Sequence, residues 1–149
     1  MSLSGIRPRG SSPSPELGEL LRAMRPVLND GVYVYAVVPH GLPISDLDYV
    51  ARFKEREGVT FVLPEGEASR AGLSIVLRVA WITLEVQSDL QALGFTAAFS
   101  GALAQAGIGC NVMAAAHHDH IFVPWEQAEQ AIACLDRLQQ LSNDLAADQ

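Results

Sequence analysis

Ile108-Gly-Cys-Asn-Val-Met-Ala-Ala-Ala-His-His-Asp-His-Ile-Phe-Val-Pro124 joins two apolar, strand-like runs through a short polar turn. Sixty positions upstream the chain repeats the pattern. Phe61-Val-Leu-Pro-Glu-Gly-Glu-Ala68 lies over Ile121-Phe-Val-Pro-Trp-Glu-Gln-Ala128, and Val50 to Phe53 lies over Cys110 to Met113. A strand-turn-strand-Pro-helix unit that occurs twice constrains a fold more than any single motif does.

Working outward, Gly109 to Ala116 and His120 to Val123 read as one hairpin, and Tyr49 to Glu55 with Val59 to Leu63 as its counterpart. The stretch from Leu47 to Glu57 also has a usable helix cap in Asp46 and helix-favouring charges; the repeat decides for strands. Val32 to Val38, β-branched and aromatic, is a strand that ends at Pro39. Gly94 to Ala106 is helical, with Phe95, Phe99 and Leu103 at i, i+4 and i+8, and Gly107 ends it. Trp125 to about Leu145 is a long amphipathic helix with Ile132, Leu135, Leu138, Leu141 and Leu145 inward. Pro64 starts a shorter helix ended by Gly72. Ser14-Pro15-Glu16 has the form of a helix start, Leu17, Leu20, Leu21 and Met24 form its apolar face, and Pro26 stops it.

Leu73 to Ser88 is too long for one ordinary strand. Its alternation changes phase, which predicts two strands run together or a bulge near Ala80. The boundary between the units falls there. The expected organisation is a tail over residues 1–14, a first unit over 15–79 whose first helix is degenerate, and a second unit over 80–149. In the first unit the helix that should follow Pro39 to Pro43 is absent or displaced, and the amino-terminal helix is expected to cover the sheet surface left bare.

The 149-residue chain carries a net charge of −7, with Lys54 its one lysine, and shows no electrostatic footprint for nucleic acid or an anionic membrane. From Val79 onward Arg137 stands alone against eight acids. Cys110 and Cys134 have neither zinc-site nor redox-pair spacing and read as small buried hydrophobes. No signal-peptide pattern opens the chain and its longest helix-like apolar stretch falls short of the roughly 20 residues a bilayer needs, so a cytoplasmic location is expected.

A β-α-β-β-α unit occurring twice is a repeated split-βαβ motif, an α+β, ferredoxin-like fold (βαββαβ) with antiparallel sheets covered by helices. The run from Trp81-Ile-Thr-Leu-Glu-Val86 through Leu93-Gly-Phe-Thr-Ala-Ala98, Ala106-Gly-Ile-Gly-Cys-Asn-Val112 and His118-Asp-His-Ile-Phe-Val-Pro124 resembles the small bacterial ACT-domain-containing proteins. The likeness covers roughly residues 16–141. It implies two tandem ACT-like units of a fold whose relatives bind amino acids or other small effectors and regulate amino-acid metabolism. Two positions depart from the family's pattern: Gln87 stands where a histidine is expected and His117 where an aromatic is expected.

In ACT domains effectors sit near the loop after the first strand and the start of the first helix. The resemblance therefore implies a site of Ser88, Asp89, Leu90, Leu93, Gly94 and Phe95, with Asn111 and Val112 on the neighbouring strand. Asp89 can accept an α-ammonium, while N–H groups at the helix start hold a carboxylate; Asp89 can equally serve only the turn. His118, Asp119 and His120 give an alternative metal site, with His118 and His120 on one side of a strand. A metal-dependent enzyme built on that cluster and a pure oligomerisation module are the competing functions. Trp81 and Trp125 adjoin core strands and read as packing, though both are large enough to line a pocket. The leading expectation is a regulatory or sensor protein whose partner is a small molecule, an amino acid, with no cofactor, no nucleic acid and no membrane, acting as a homo-oligomer.

Overall fold

In the computed structural model residues 15–44 and 46–149 are described, so the expected tail over 1–14 lies outside the described residues. Among the described residues seven strands form one antiparallel sheet. The chain runs α1 (Pro15–Ala23), β1 (Arg25–Leu28), β2 (Tyr33–Val38), β3 (Ala51–Lys54), β4 (Val59–Pro64), α2 (Glu65–Arg70), β5 (Ile75–Glu85), α3 (Phe95–Gln105), β6 (Asn111–Ala114), β7 (Asp119–Pro124) and α4 (Ala128–Ala147), the last preceded by a 3₁₀ turn, Trp125–Gln127. Both hairpins form as the repeat requires, and the 47–57 stretch is not helical.

The strand order is β3-β4-β2-β5-β7-β6, with β1 also pairing β5. β5 belongs to both units. Its first half pairs β2, from Tyr33 opposite Val79 to Ala36 opposite Ile75, and its second half pairs β7, from Val79 opposite Pro124 to Leu84 opposite Asp119. The expectation of two strands or a bulge near Ala80 is corrected: there is one eleven-residue strand, and the register shift lies opposite Tyr35/Ala36. The alternation changes phase because residues 79–84 are covered on both faces, Trp81 alone being only half-buried, whereas Ile75 to Arg78 are exposed.

β1 lies end to end with β2 along β5, with Arg25 opposite Glu85 and Leu28 opposite Ile82. It fills the place of the last strand that the second unit lacks in sequence, so the edge beside Ile82 to Glu85 is closed within the chain. Pro26 is tolerated because β1 has only one neighbour in the sheet.

Helices cover one face. Ile82, Leu84, Ile121 and Val123 meet Phe95, Phe99 and Leu103 of α3 and Ala131 and Leu135 of α4, and Leu21 and Met24 join this same core. α1 packs on α4 and α3. The expectation that it covers the first unit's bare sheet is therefore corrected: its apolar face docks on the second unit's helices, which offer the larger apolar surface. In the first unit α2, through Ala68, covers Val34, Ala36, Phe61 and Leu63 together with Ile44, Leu47 and Leu73 from the flanking loops.

Among the described residues the other face carries no helix. Tyr33, Tyr35, Val62, Val79, Trp81, Met113 and Phe122 pack there, together with Val50 and Ala51. Although β3 and β6 are the outermost strands, Ala51 and Met113 line one cavity, so the sheet is curled around this concave face.

Candidate functional site

Two cavities flank β5, one at its carboxyl end and one on the concave face. The first, about 580 Å³, lies between α1 and the segment Val86 to Leu93. Leu17, Leu20, Val86 and Leu93 form its apolar wall, and Glu16, Glu19 and Asp89 bring three carboxylates to it. Asp89 Oδ1 accepts the Gln91 N–H at 2.9 Å and the Asp89 carbonyl accepts that of Ala92 at 2.9 Å, so Asp89 both shapes the turn and presents its second oxygen. Gly94 caps α3 at φ 88 without a side-chain cap hydrogen bond. The left-handed φ favours glycine there, and a Cβ would also come within 3.1 Å of Leu17 Cδ2, so α1 packs close over this turn.

The residues implied by the family resemblance divide. Asp89 and Leu93 line this cleft, whereas Ser88 and Leu90 do not, and Leu90 faces solvent at 66% exposure. Phe95 is buried in the helix-side core. Val112 packs against that core from β6, while Asn111 sits opposite Phe122 and so points to the concave face, away from the cleft. The residues missed are those of α1. Glu16, Glu19 and Leu20 reach the cleft only through tertiary docking, and their local signal is that of an ordinary amphipathic helix.

The second cavity, about 710 Å³, lies on the concave face. Trp81 is its central side chain, with Tyr33 edge-on at 5.3 Å between ring centroids and Phe122 stacked at 6.4 Å. Trp81 Nε1–H donates to His120 Nδ1 at 3.0 Å, and Thr83 Oγ1 lies 3.2 Å from the same nitrogen. Asn29 Nδ2 donates to Thr83 Oγ1 at 2.9 Å and to the Trp81 carbonyl at 3.2 Å. An indole N–H can only donate, so Nδ1 is unprotonated and the imidazole is neutral with its proton on Nε2. Burial, then the charge of His118, holds the His120 pKa below its ordinary 6.5, against the opposing pull of Asp119. Burial, then Asp30 and Asp48, pushes the Tyr33 phenol above 10.0. Trp81, which reads from the sequence as packing, packs in this cluster and is also a cavity wall.

The alternative metal site does not assemble. Asp119 stands opposite Leu84 on the helix side, where burial raises its pKa, and His120 stands opposite Thr83 on the concave side. His118 Nδ1 turns to the Val86 carbonyl at 3.4 Å. Among the described residues no three His, Cys, Asp or Glu side chains come together as a metal site would need. Cys110 is half-buried, and burial pushes its thiol up to about 11.

The fold's tandem units have direct counterparts. The chain belongs to the ACT-domain family: ACT-domain models match residues 13–79 and again 76–137, overlapping within the shared strand β5. It is 44% identical to a Vibrio cholerae protein of unknown function, described as a possible transport protein, over 83% of this chain and 95% of that one, with a TM-score of 0.73. At 14% identity it shares its fold with a protein from Agrobacterium tumefaciens (78% of this chain, 89% of that chain, TM-score 0.67). The ligand-free regulatory subunit of aspartate kinase from Thermus thermophilus also has this fold, at 14% identity, 78% of this chain, 97% of that chain and a TM-score of 0.60. No match is found among the curated proteins. Among the described residues no helix is long and apolar enough to cross a membrane.

Proposed function

We propose that this protein is a sensor of ACT type that binds a free amino acid in the cleft between α1 and Val86 to Leu93. The observation that carries the reading is the composition of that cleft, in which Glu16, Glu19 and Asp89 converge beside the apolar Leu17, Leu20 and Leu93. Three carboxylates attract an α-ammonium, and the leucines take an aliphatic side chain. The family supports a small effector, and the regulatory aspartate kinase subunit among the fold relatives supports a regulatory role.

Because α1 forms one wall, an occupant would draw α1, α3 and the loop together and stiffen the core that α1 shares with α4. A regulatory output through a homo-oligomer belongs to the same reading. Val37, Phe53 and Leu77 are exposed on the first unit's concave side, and an apolar surface of that kind suits contact with a second copy. The test is a thermal-shift screen against the twenty amino acids. A saturable rise in Tm from one of them, lost in Asp89→Asn and in Glu19→Gln, is expected. No rise from any of them, or a rise indifferent to both substitutions, defeats the proposal.

A further inference from the structure

The cavity on the concave face lies on the opposite side of the sheet from the cleft proposed above, and the effector reading leaves it without a role. Its walls are aromatic and soft: Trp81, Tyr33 and Phe122 form the floor, and Met113 and Ala51 approach from the two outermost strands. At about 710 Å³ it falls within the ~300–1,000 Å³ range of small-molecule pockets. Edge-to-face and stacked pairs already present among these rings show the geometry a further ring would adopt, and a thioether edge adds to it.

The polar part of the cavity is fixed as tightly as its walls. Trp81 Nε1–H and Thr83 both converge on His120 Nδ1, and Asn29 holds Thr83 from behind. That chain of hydrogen bonds fixes the imidazole plane and its tautomer, and leaves Nε2–H as the ring's donor at the cavity wall. The donor is neutral, so it suits a carbonyl or ring nitrogen and gives a carboxylate no counter-charge. Arg52, at the rim, holds its guanidinium 5.7 Å from the Phe61 centroid, and Phe61 belongs to the helix-side core. Asp48, also at the rim, further disfavours an anion and can accept from an amide N–H.

We infer that this concave cavity is a second small-molecule site, selective for a neutral planar aromatic compound bearing a carbonyl or amide, with its ring on Trp81 and Phe122 and its oxygen on His120 Nε2–H. Since Ala51 belongs to the first unit and Met113 to the second, such a ligand bridges the two edges of the curled sheet. It bears on the cleft only through β5, which carries Trp81 and leads into Val86.

The test is a titration of the full chain, uniformly ¹⁵N-labelled, with benzamide. Trp81 and Trp125 give two indole N–H resonances, assigned with Trp125→Phe. The expected result is a saturable shift of the Trp81 indole and of the Ala51 and Met113 amides, with the Asp89 to Phe95 amides unmoved. Ethylbenzene, which lacks the acceptor, is expected to bind about five- to tenfold more weakly, and benzoate more weakly than benzamide. Met113→Trp, which fills the cavity from a half-buried edge position, is expected to abolish the shift while the remaining spectrum stays folded. His120→Phe is expected to erase the preference for benzamide over ethylbenzene. A Trp81 indole unmoved at millimolar benzamide overturns the inference, as does a shift that survives in Met113→Trp or one that appears only at Asp89 to Phe95. None of these results bears on the amino-acid screen.

Discussion

Met24→Ala tests whether the amino-terminal segment is part of the second unit's core. Met24 is fully buried, between the end of α1 and the start of β1, in the cluster that holds Phe99, Leu103 and Leu135. Removing a buried side chain of this size costs about 2–5 kcal/mol through lost transfer energy and the cavity left behind. For a chain of this length each kcal/mol lowers Tm by about 3 °C, so a drop of roughly 6–15 °C is expected. Urea unfolding followed by circular dichroism gives the free energy directly, with Leu42→Ala, a 59% exposed position, as the near-neutral control. A Met24→Ala loss below about 1 kcal/mol, indistinguishable from the control, refutes the placement of α1 and β1 on the second unit.

Other consequences follow from single contacts. A neutral His120 whose pKa lies below 6.5 means the unfolded chain binds more protons between that lowered value and 6.5. Its contribution to stability is therefore complete above 6.5 and is lost as pH falls through the folded value. Urea unfolding across that window is expected to show a shallower pH slope in His120→Gln than in the wild type, and an equal slope contradicts the assignment. Cys110, at about 11 rather than 9.0, carries about a hundredfold less thiolate at pH 8 than the same thiol in the unfolded chain, so its alkylation by iodoacetamide is expected to speed up markedly in denaturant. At Gly58 a Cβ would meet the Val38 carbonyl at 2.7 Å, a backbone atom that cannot swing aside. Gly58→Ala is expected to cost about 1–3 kcal/mol in the same unfolding assay, and a neutral outcome means the β3–β4 turn is looser than described.

The hairpins were legible because the chain writes them twice, and Phe53 or Met113 on its own would not have settled strand against helix. β1 was not, since Arg25-Pro-Val-Leu28 is too short to show a period and its hydrogen bonds go to residues 82–85, far along the chain. The continuity of β5 was hidden for a different reason. A strand buried on both faces at 79–84 and on neither at 75–78 has no single alternation to read. At the site, Asp89 was visible as a loop acid before a helix, but Glu16 and Glu19 face it only because α1 docks on α3 and α4. Asn111 was placed by resemblance, and strand parity puts its side chain on the other face of the sheet. The His118 to His120 cluster looked like one site in sequence, and the same alternation sends Asp119 and His120 to opposite faces. The concave cavity had no local signal at all, because it exists only when the curl brings β3 and β6 within reach of one another.

The most direct test of the effector proposal is where a bound amino acid is felt. ¹H–¹⁵N spectra recorded while the labelled chain is titrated with whichever amino acid raises Tm most should show saturable shifts concentrated in Glu16 to Ala23 and Val86 to Phe95. Saturable shifts that cluster anywhere else, or none in those two segments at saturation, contradict the account.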